Sequence, residues 1–130
     1  IGGYHYSFSG LKTGILYTLR DKLKENPNYL EENICDIAAS VQKAVVDSLI
    51  SKFEKAIKDT GIKNIAIAGG VSANSLLRQS IQSLGKKYNC EVFIPKFSYT
   101  TDNAAMVASA ALFKYMDNEF ADLSVAAYAR

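Results

Sequence analysis

Ile65-Ala66-Ile67-Ala68-Gly69-Gly70-Val71-Ser72-Ala73-Asn74-Ser75 is the stretch that decides the fold. Asn64 to Ala68 is apolar on alternate and intervening positions alike, the composition of an inner parallel strand covered on both faces. Two glycines follow at once. From Ser72 onward the spacing of Leu76, Leu77, Ile81 and Leu84 predicts a helix reaching about Tyr88, and Cys90 to Ile94 predicts a second strand that Pro95 ends. Strand, glycine turn, helix and strand in that order make a parallel crossover unit, so the chain is of the α/β class.

Upstream of this unit the pattern is helical. Tyr4, Tyr6 and Phe8 alternate with His5 and Ser7, predicting a short strand from Ile1 that Ser9-Gly10 stops. Leu11, Ile15, Leu16, Leu19 and Leu23 predict a helix to Lys24, closed by Asn26-Pro27-Asn28. Asn28 and Glu31 have capping-box spacing. Leu30, Ile34, Ile37, Val41, Val45, Leu49, Phe53 and Ile57 then step by three or four to Gly61, predicting one long core helix with a left-handed terminal glycine. A second row at Ala38, Ala44, Val46 and Ile50 widens the apolar face to meet more than one neighbour.

Downstream, Thr101 stands where it would cap a last helix from Asp102 to about Met116, with small residues at Ala104, Ala105, Ala108, Ser109, Ala110 and Ala111. Asn118 to Arg130 has weak pattern and reads as an extension on the surface. Two strands are firm and a third is expected at the start, a poor sheet for a free-standing domain because its edges stay open. Together with the start at Ile1, this predicts a piece of a longer polypeptide, residues 1–130 forming a single domain whose open edge allows self-association.

Composition bounds the function. The chain has 130 residues, 48% hydrophobic and 22% charged, with a formal charge of +2, too small an excess to name nucleic acid from charge alone. The apolar run Ala104 to Phe113 is about half the ~20 residues that a bilayer-spanning helix needs, so no membrane span is expected. Cys35 and Cys90 lie far apart without Cys-x-x-Cys spacing and read as reduced core residues of a cytoplasmic protein. His5 is the single histidine, so a site using two imidazoles must take one from elsewhere.

Chemistry is expected at two loop-to-helix junctions. At Gly69-Gly70 a strand end meets a helix start, presenting free amides and a positive dipole end that suit a phosphate, with Asn74 offering donor and acceptor in the first helical turn. The pattern is neither Gly-x-Gly-x-x-Gly nor a Walker loop, and an ordinary turn without ligand stays open as a reading. At Thr101-Asp102-Asn103 a carboxylate precedes small residues, either as a helix cap or as one hard oxygen ligand to a metal. Parallel topology would bring both junctions to one carboxyl edge. Lys52, Lys55, Lys58 and Lys63 read as a solvated helix face, with a weak tRNA-facing patch as the alternative.

Five segments in order resemble the tRNA threonylcarbamoyladenosine transferase family, called TsaD, Kae or YgjD. They are Ser7-Phe8-Ser9-Gly10-Leu11-Lys12-Thr13, Asp36-Ile37-Ala38-Ala39-Ser40, Ala68-Gly69-Gly70-Val71-Ser72-Ala73-Asn74, Thr101-Asp102-Asn103-Ala104-Ala105-Met106 and Ala121-Asp122-Leu123-Ser124. The resemblance runs from about Tyr6 to Arg130. It implies the C-terminal lobe of an actin-like, Hsp70-type nucleotide-binding fold of the ribonuclease H-like class, helix-rich with a small partly parallel sheet, the N-terminal lobe lying outside this chain.

The resemblance further implies transfer of a threonylcarbamoyl group from threonylcarbamoyl-adenylate to the exocyclic amine of the tRNA adenosine 3′ of the anticodon. On it, Asn74, Gly69 and Gly70 fall on substrate and nucleotide positions, and Asp102 on a metal ligand. One divalent metal, iron or zinc, would be completed by two histidines outside this chain, and His5 cannot replace them. No protein nucleophile is expected, and the chain by itself should be inactive. Partners implied are tRNA and accessory proteins, TsaB-like and TsaE-like if the protein is bacterial. No zinc-protease helix motif supports the family's older endopeptidase name. A small-molecule kinase lobe of the same architecture and a non-catalytic interaction paralogue are the competing readings.

Overall fold

The computed structural model describes residues 3–126. Helix α1 (Phe8–Glu25) and helix α2 (Tyr29–Thr60) form a hairpin across Asn26-Pro27-Asn28, where the Tyr29 amide donates to the Asn26 carbonyl at 3.0 Å. The expected strand at Tyr4, Tyr6 and Phe8 is not formed. Phe8 already starts α1, and the helix runs through Ser9 and Gly10 instead of stopping there. A period-2 pattern over a few residues needs a neighbouring strand to pair with, and none stands beside this segment among the described residues. Ile1 and Gly2 lie outside them.

The long helix forms as its stripe predicts, and Gly61 ends it at φ 69°, its amide donating to Ile57 at 2.9 Å. The capping box does not form. Asn28 makes no side-chain cap; Asn26 instead donates from Nδ2 to Glu32 at 2.8 Å and accepts from the Asn28 amide at 3.0 Å. Asn33 leaves helical geometry at φ −123°, ψ 15° and kinks α2 near its start. Burial is confined to the later part of α2, at Val46, Leu49 and Ile57; Leu30 and Ile34 stay exposed. As the two apolar rows imply, α2 packs on both α1 and the helix that follows.

Strand β1 (Asn64–Ala66) leads through Gly69 into a 3-10 turn, Gly70–Ala73, and only then into helix α3 (Ser75–Tyr88). Strand β2 (Glu91–Phe93) pairs parallel with β1 in the register Asn64 to Glu91, Ile65 to Val92 and Ala66 to Phe93. The crossover unit is therefore present, but the sheet is covered on one face: Ile65 and Ile67 are buried while Asn64, Ala66 and Phe93 are exposed. The core is Val46, Leu49, Ile57, Ile65, Ile67, Leu77, Ile81 and Leu84, with Ile81 at 0% exposure. Gly85 is required where α3 crosses β2, because a Cβ there would collide with the Val92 side chain and sit 3.1 Å from the Cys90 carbonyl.

A second 3-10 turn, Phe97–Tyr99, precedes helix α4 (Ala104–Met116). Among the described residues neither α1 nor α4 buries a side chain. Nor does the tail pack on the surface: Leu123 is 104% exposed, and residues 127–130 lie outside the described range. Cys35 is exposed and Cys90 half-buried, both free, so the core assignment fails for Cys35. No described helix is long and apolar enough to cross a membrane.

Candidate functional site

Both strands deliver their carboxyl ends to the same edge, because they run parallel in register and the ladder continues past β1 through the Ile67 amide to the Phe93 carbonyl at 3.1 Å. On this edge Gly69 adopts φ 77°, ψ 176°, a conformation that side chains other than hydrogen resist. That geometry turns β1 sharply into Gly70, and a hypothetical Cβ at either glycine meets open space. A ligand can therefore lie against this main chain.

Asn74 is not inside the first helical turn. It is the N-cap of α3, at φ −63° and ψ 120°, and its Oδ1 accepts from the Leu77 amide at 3.0 Å. The 3-10 turn takes the residues that the helix was expected to use, since Ser72 and Asn74 amides donate to Gly69 and Val71 carbonyls at 3.0 Å each. With Oδ1 engaged in the cap, Nδ2 is the group that Asn74 can extend to a ligand as a donor.

Thr101 does not cap α4. Asn103 does, its Oδ1 accepting from the Met106 amide at 3.1 Å and its Nδ2 donating to the Thr101 carbonyl at 3.0 Å. Asp102 stands just outside the helix, exposed, with no hydrogen bond or ion pair among the described residues. Its carboxylate is thus a hard oxygen donor with its valence unspent, while no group of three or more His, Cys, Asp or Glu side chains gathers around it or anywhere else in the described residues. Such a donor could hold a metal only as one ligand among several, and the described residues gather no such set beside it.

Arg78 links the Gly-Gly junction to the end of β2, and nothing in the sequence pattern singles it out; no hydrogen bond joins either to Thr101-Asp102-Asn103 among the described residues. Its Nε donates to the Ser72 carbonyl at 2.6 Å, Nη2 donates to the Pro95 carbonyl at 2.8 Å, and the guanidinium lies 4.0 Å from the centre of the Phe97 ring. One rigid planar fork therefore ties the Gly-Gly turn to the end of β2. Arg78 is placed for this because it falls one turn into α3, on the side facing the sheet edge. Ser72 is the second unforeseen residue. It is 1% exposed, its hydroxyl has no partner, and it lines a 210 Å³ cavity under the turn with Tyr6, Phe8, Phe53, Ala68 and Val71.

His5 is exposed and lies in no strand. The lysine face is not merely solvated: Lys55 pairs with Asp59 at 2.5 Å, Lys58 with Glu54 at 3.2 Å, Lys63 donates to the Tyr88 carbonyl at 2.9 Å, and Lys52 donates to the Gly3 carbonyl at 3.3 Å.

The TsaD family, described as tRNA N6-adenosine threonylcarbamoyltransferase, matches residues 1–109. A protein of that name from Riemerella anatipestifer is 56% identical over 128 residues, covering 98% of this chain and 38% of its own length. Its namesake from Porphyromonas gingivalis is 51% identical across 100% of this chain, again over 38% of its own length. A more distant one, from Carboxydothermus hydrogenoformans, is 45% identical over 97% of the chain. The chain thus spans well under half the length of the curated relatives it matches.

Proposed function

The chain belongs to the tRNA N6-adenosine threonylcarbamoyltransferase family, and we propose that it supplies one wall of the adenylate and metal site of a whole enzyme of that activity. The reaction is transfer of a threonylcarbamoyl group from its adenylate to the exocyclic amine of the tRNA adenosine 3′ of the anticodon, releasing AMP. The observation that supports this reading is the shared carboxyl edge of β1 and β2, where the Gly69-Gly70 turn leads to Asn74 and Arg78 ties Ser72 of that turn to Pro95 at the end of β2.

A mixed carbamoyl anhydride is already activated. The protein has to hold it, orient a weakly nucleophilic amine, and meet the charge that develops on the carbonyl and the leaving phosphate. Gly69 and Gly70 let the nucleotide approach the main chain, and the N-terminal end of α3 offers amides and a positive dipole to its phosphate. Asn74 Nδ2 donates to the bound substrate while Oδ1 keeps the helix capped. Asp102 is the ligand this chain would give to one divalent metal, iron or zinc, whose remaining ligands come from histidines outside it. When bound, that ion supplies Lewis-acid polarisation of a carbonyl or phosphoryl oxygen. The fold that accompanies this reading is the C-terminal lobe of an actin-like protein, its compartment the cytoplasm, and its partners tRNA and TsaB-like and TsaE-like accessory proteins.

The test uses the full-length protein and three variants. Asp102→Ala lowers metal content and transfer together; normal metal occupancy in that variant removes the assignment. Asn74→Ala loses both cap and donor, whereas Asn74→Asp keeps the cap and loses the donor. Adenylate affinity should fall in both while thermal stability falls only in the first, and wild-type affinity in Asn74→Asp defeats the ligand role.

A further inference from the structure

At the end of the molecule opposite the glycine turn, α2 and α3 finish side by side, and both last turns carry lysines. Helix dipoles account for lysines at those ends. They do not account for how two of them are gathered. Glu54 of α2 accepts from Lys58 on its own helix at 3.2 Å and from Lys87 on α3 at 3.0 Å, and it also accepts from the Tyr88 hydroxyl. Both ammoniums lie over the Tyr88 ring, 5.8 Å and 5.2 Å from its centre, and Lys63 donates to the Tyr88 carbonyl at 2.9 Å. One carboxylate and one aromatic ring from two helices thus hold a pair of cations in place. The Tyr88 hydroxyl, Lys87 and Lys58, in that order, hold the Glu54 carboxyl down at about 2, so the anchor stays ionised at any physiological pH.

The pair remains open to solvent, Lys58 at 57% and Lys87 at 62% side-chain exposure. Each ammonium has three N–H groups and spends one on Glu54, leaving donors for another anion. Lys58, Lys63, Lys86 and Lys87 against Glu54 and Glu91 leave this end with two positive charges (4 − 2 = 2), while neighbouring Lys55 and Asp59 neutralise each other. Beside the pair an open groove of 440 Å³ runs between α2 and α3, with an apolar floor of Ile50, Leu76 and Leu84 and with Gln79, Ser80 and Ser83 as its uncharged polar residues. Paired ammoniums with hydroxyl and amide groups alongside suit a sugar-phosphate backbone, the element of RNA that is recognised by shape and charge.

We infer that the Lys58–Glu54–Lys87 cluster and the groove beside it form a docking face for the phosphate backbone of an RNA helix. This rests on the reading that tRNA is the substrate, and names where the body of that substrate lies. The 14 residues of α3 separate the cluster from Asn74, a distance of about 21 Å at 1.5 Å per residue. A stem can lie on the cluster while one of its loop nucleotides enters the glycine-turn edge.

The experiment is tRNA binding by the full-length protein as a function of salt, with single-turnover transfer at saturating tRNA measured alongside. Lys58→Ala/Lys87→Ala should weaken binding by roughly tenfold near 0.1 M salt and flatten the log–log salt dependence by about 2, one unit for each phosphate no longer neutralised. Transfer at saturation should stay at the wild-type level, and Lys58→Arg/Lys87→Arg should bind as wild type. Unchanged affinity and slope in the alanine pair overturn the inference, as does equal loss in the arginine pair, which would mark the cluster as structural. Failure of the wild-type protein to transfer strikes the functional reading instead and leaves the binding comparison intact.

Discussion

Helices α3 and α4 are of similar length, 14 and 13 residues, yet they meet opposite fates. α3 alternates an apolar stripe with Arg, Gln, Ser and Lys, and it buries Leu77, Ile81, Leu84 and Gly85 against α2 and the sheet. α4 is apolar nearly all round, with Lys114 as its one charged side chain, and buries nothing among the described residues. Met106, Val107, Leu112, Phe113, Tyr115 and Met116 all face outward. A stripe specifies one neighbour, which α3 finds within the crossover unit. A helix apolar on every side specifies enclosure, and nothing in residues 3–126 provides it.

The comparison breaks most sharply at Ile81. Ile81→Ala empties the centre of the core and should cost about 2–5 kcal/mol of stability in denaturant titration, whereas a value near zero would show that the two helices differ less than their burial implies. Gly85→Ala forces a methyl into Val92 where α3 crosses β2, a strained overpacking expected to cost about 1–3 kcal/mol by the same titration.

A smaller effect is expected from acid. The Glu54 carboxyl lies at about 2 when folded against an ordinary value of 4.5, so its contribution to joining α2 and α3 is fully present above pH 4.5 and is lost as the pH falls toward 2. Hydrogen exchange of the α3 amides should accelerate across that window, and Glu54→Gln should abolish the step. The smallest effect belongs to α4: Phe113→Ser should move the stability of the 130-residue chain by less than about 0.5 kcal/mol. The same substitution in the full-length protein should be clearly destabilising, and equal effects in both would refute the reading of α4 as an enclosed helix.

The turn and the strand edge of the candidate site were legible from local pattern. Gly69-Gly70 after an apolar strand needs no tertiary information, because only glycine tolerates the observed φ of 77° with ψ 176°. The parallel edge followed from strand, helix, strand order. Asn74 and Asp102 were visible as residue types, but their roles at the helix ends were displaced. The 3-10 turn moved the start of α3 from Ser72 to Ser75, and Asn103 took the cap assigned to Thr101. Both shifts are choices among adjacent polar residues that local pattern does not resolve. Arg78 and the Ser72 hydroxyl were missed altogether, since what each touches is distant in sequence or absent.

By itself the sequence determined the α/β crossover, the long α2 with its terminal glycine, and the family, because these depend on periodicity, backbone permissiveness and ordered motifs. The tertiary structure alone decided that Tyr4, Tyr6 and Phe8 form no strand, that the sheet is covered on one face, and that Arg78 and Glu54 each tie separate segments together. The physical reason is that pairing, burial and charge contacts belong to two partners at once, and a one-dimensional pattern carries only one of them.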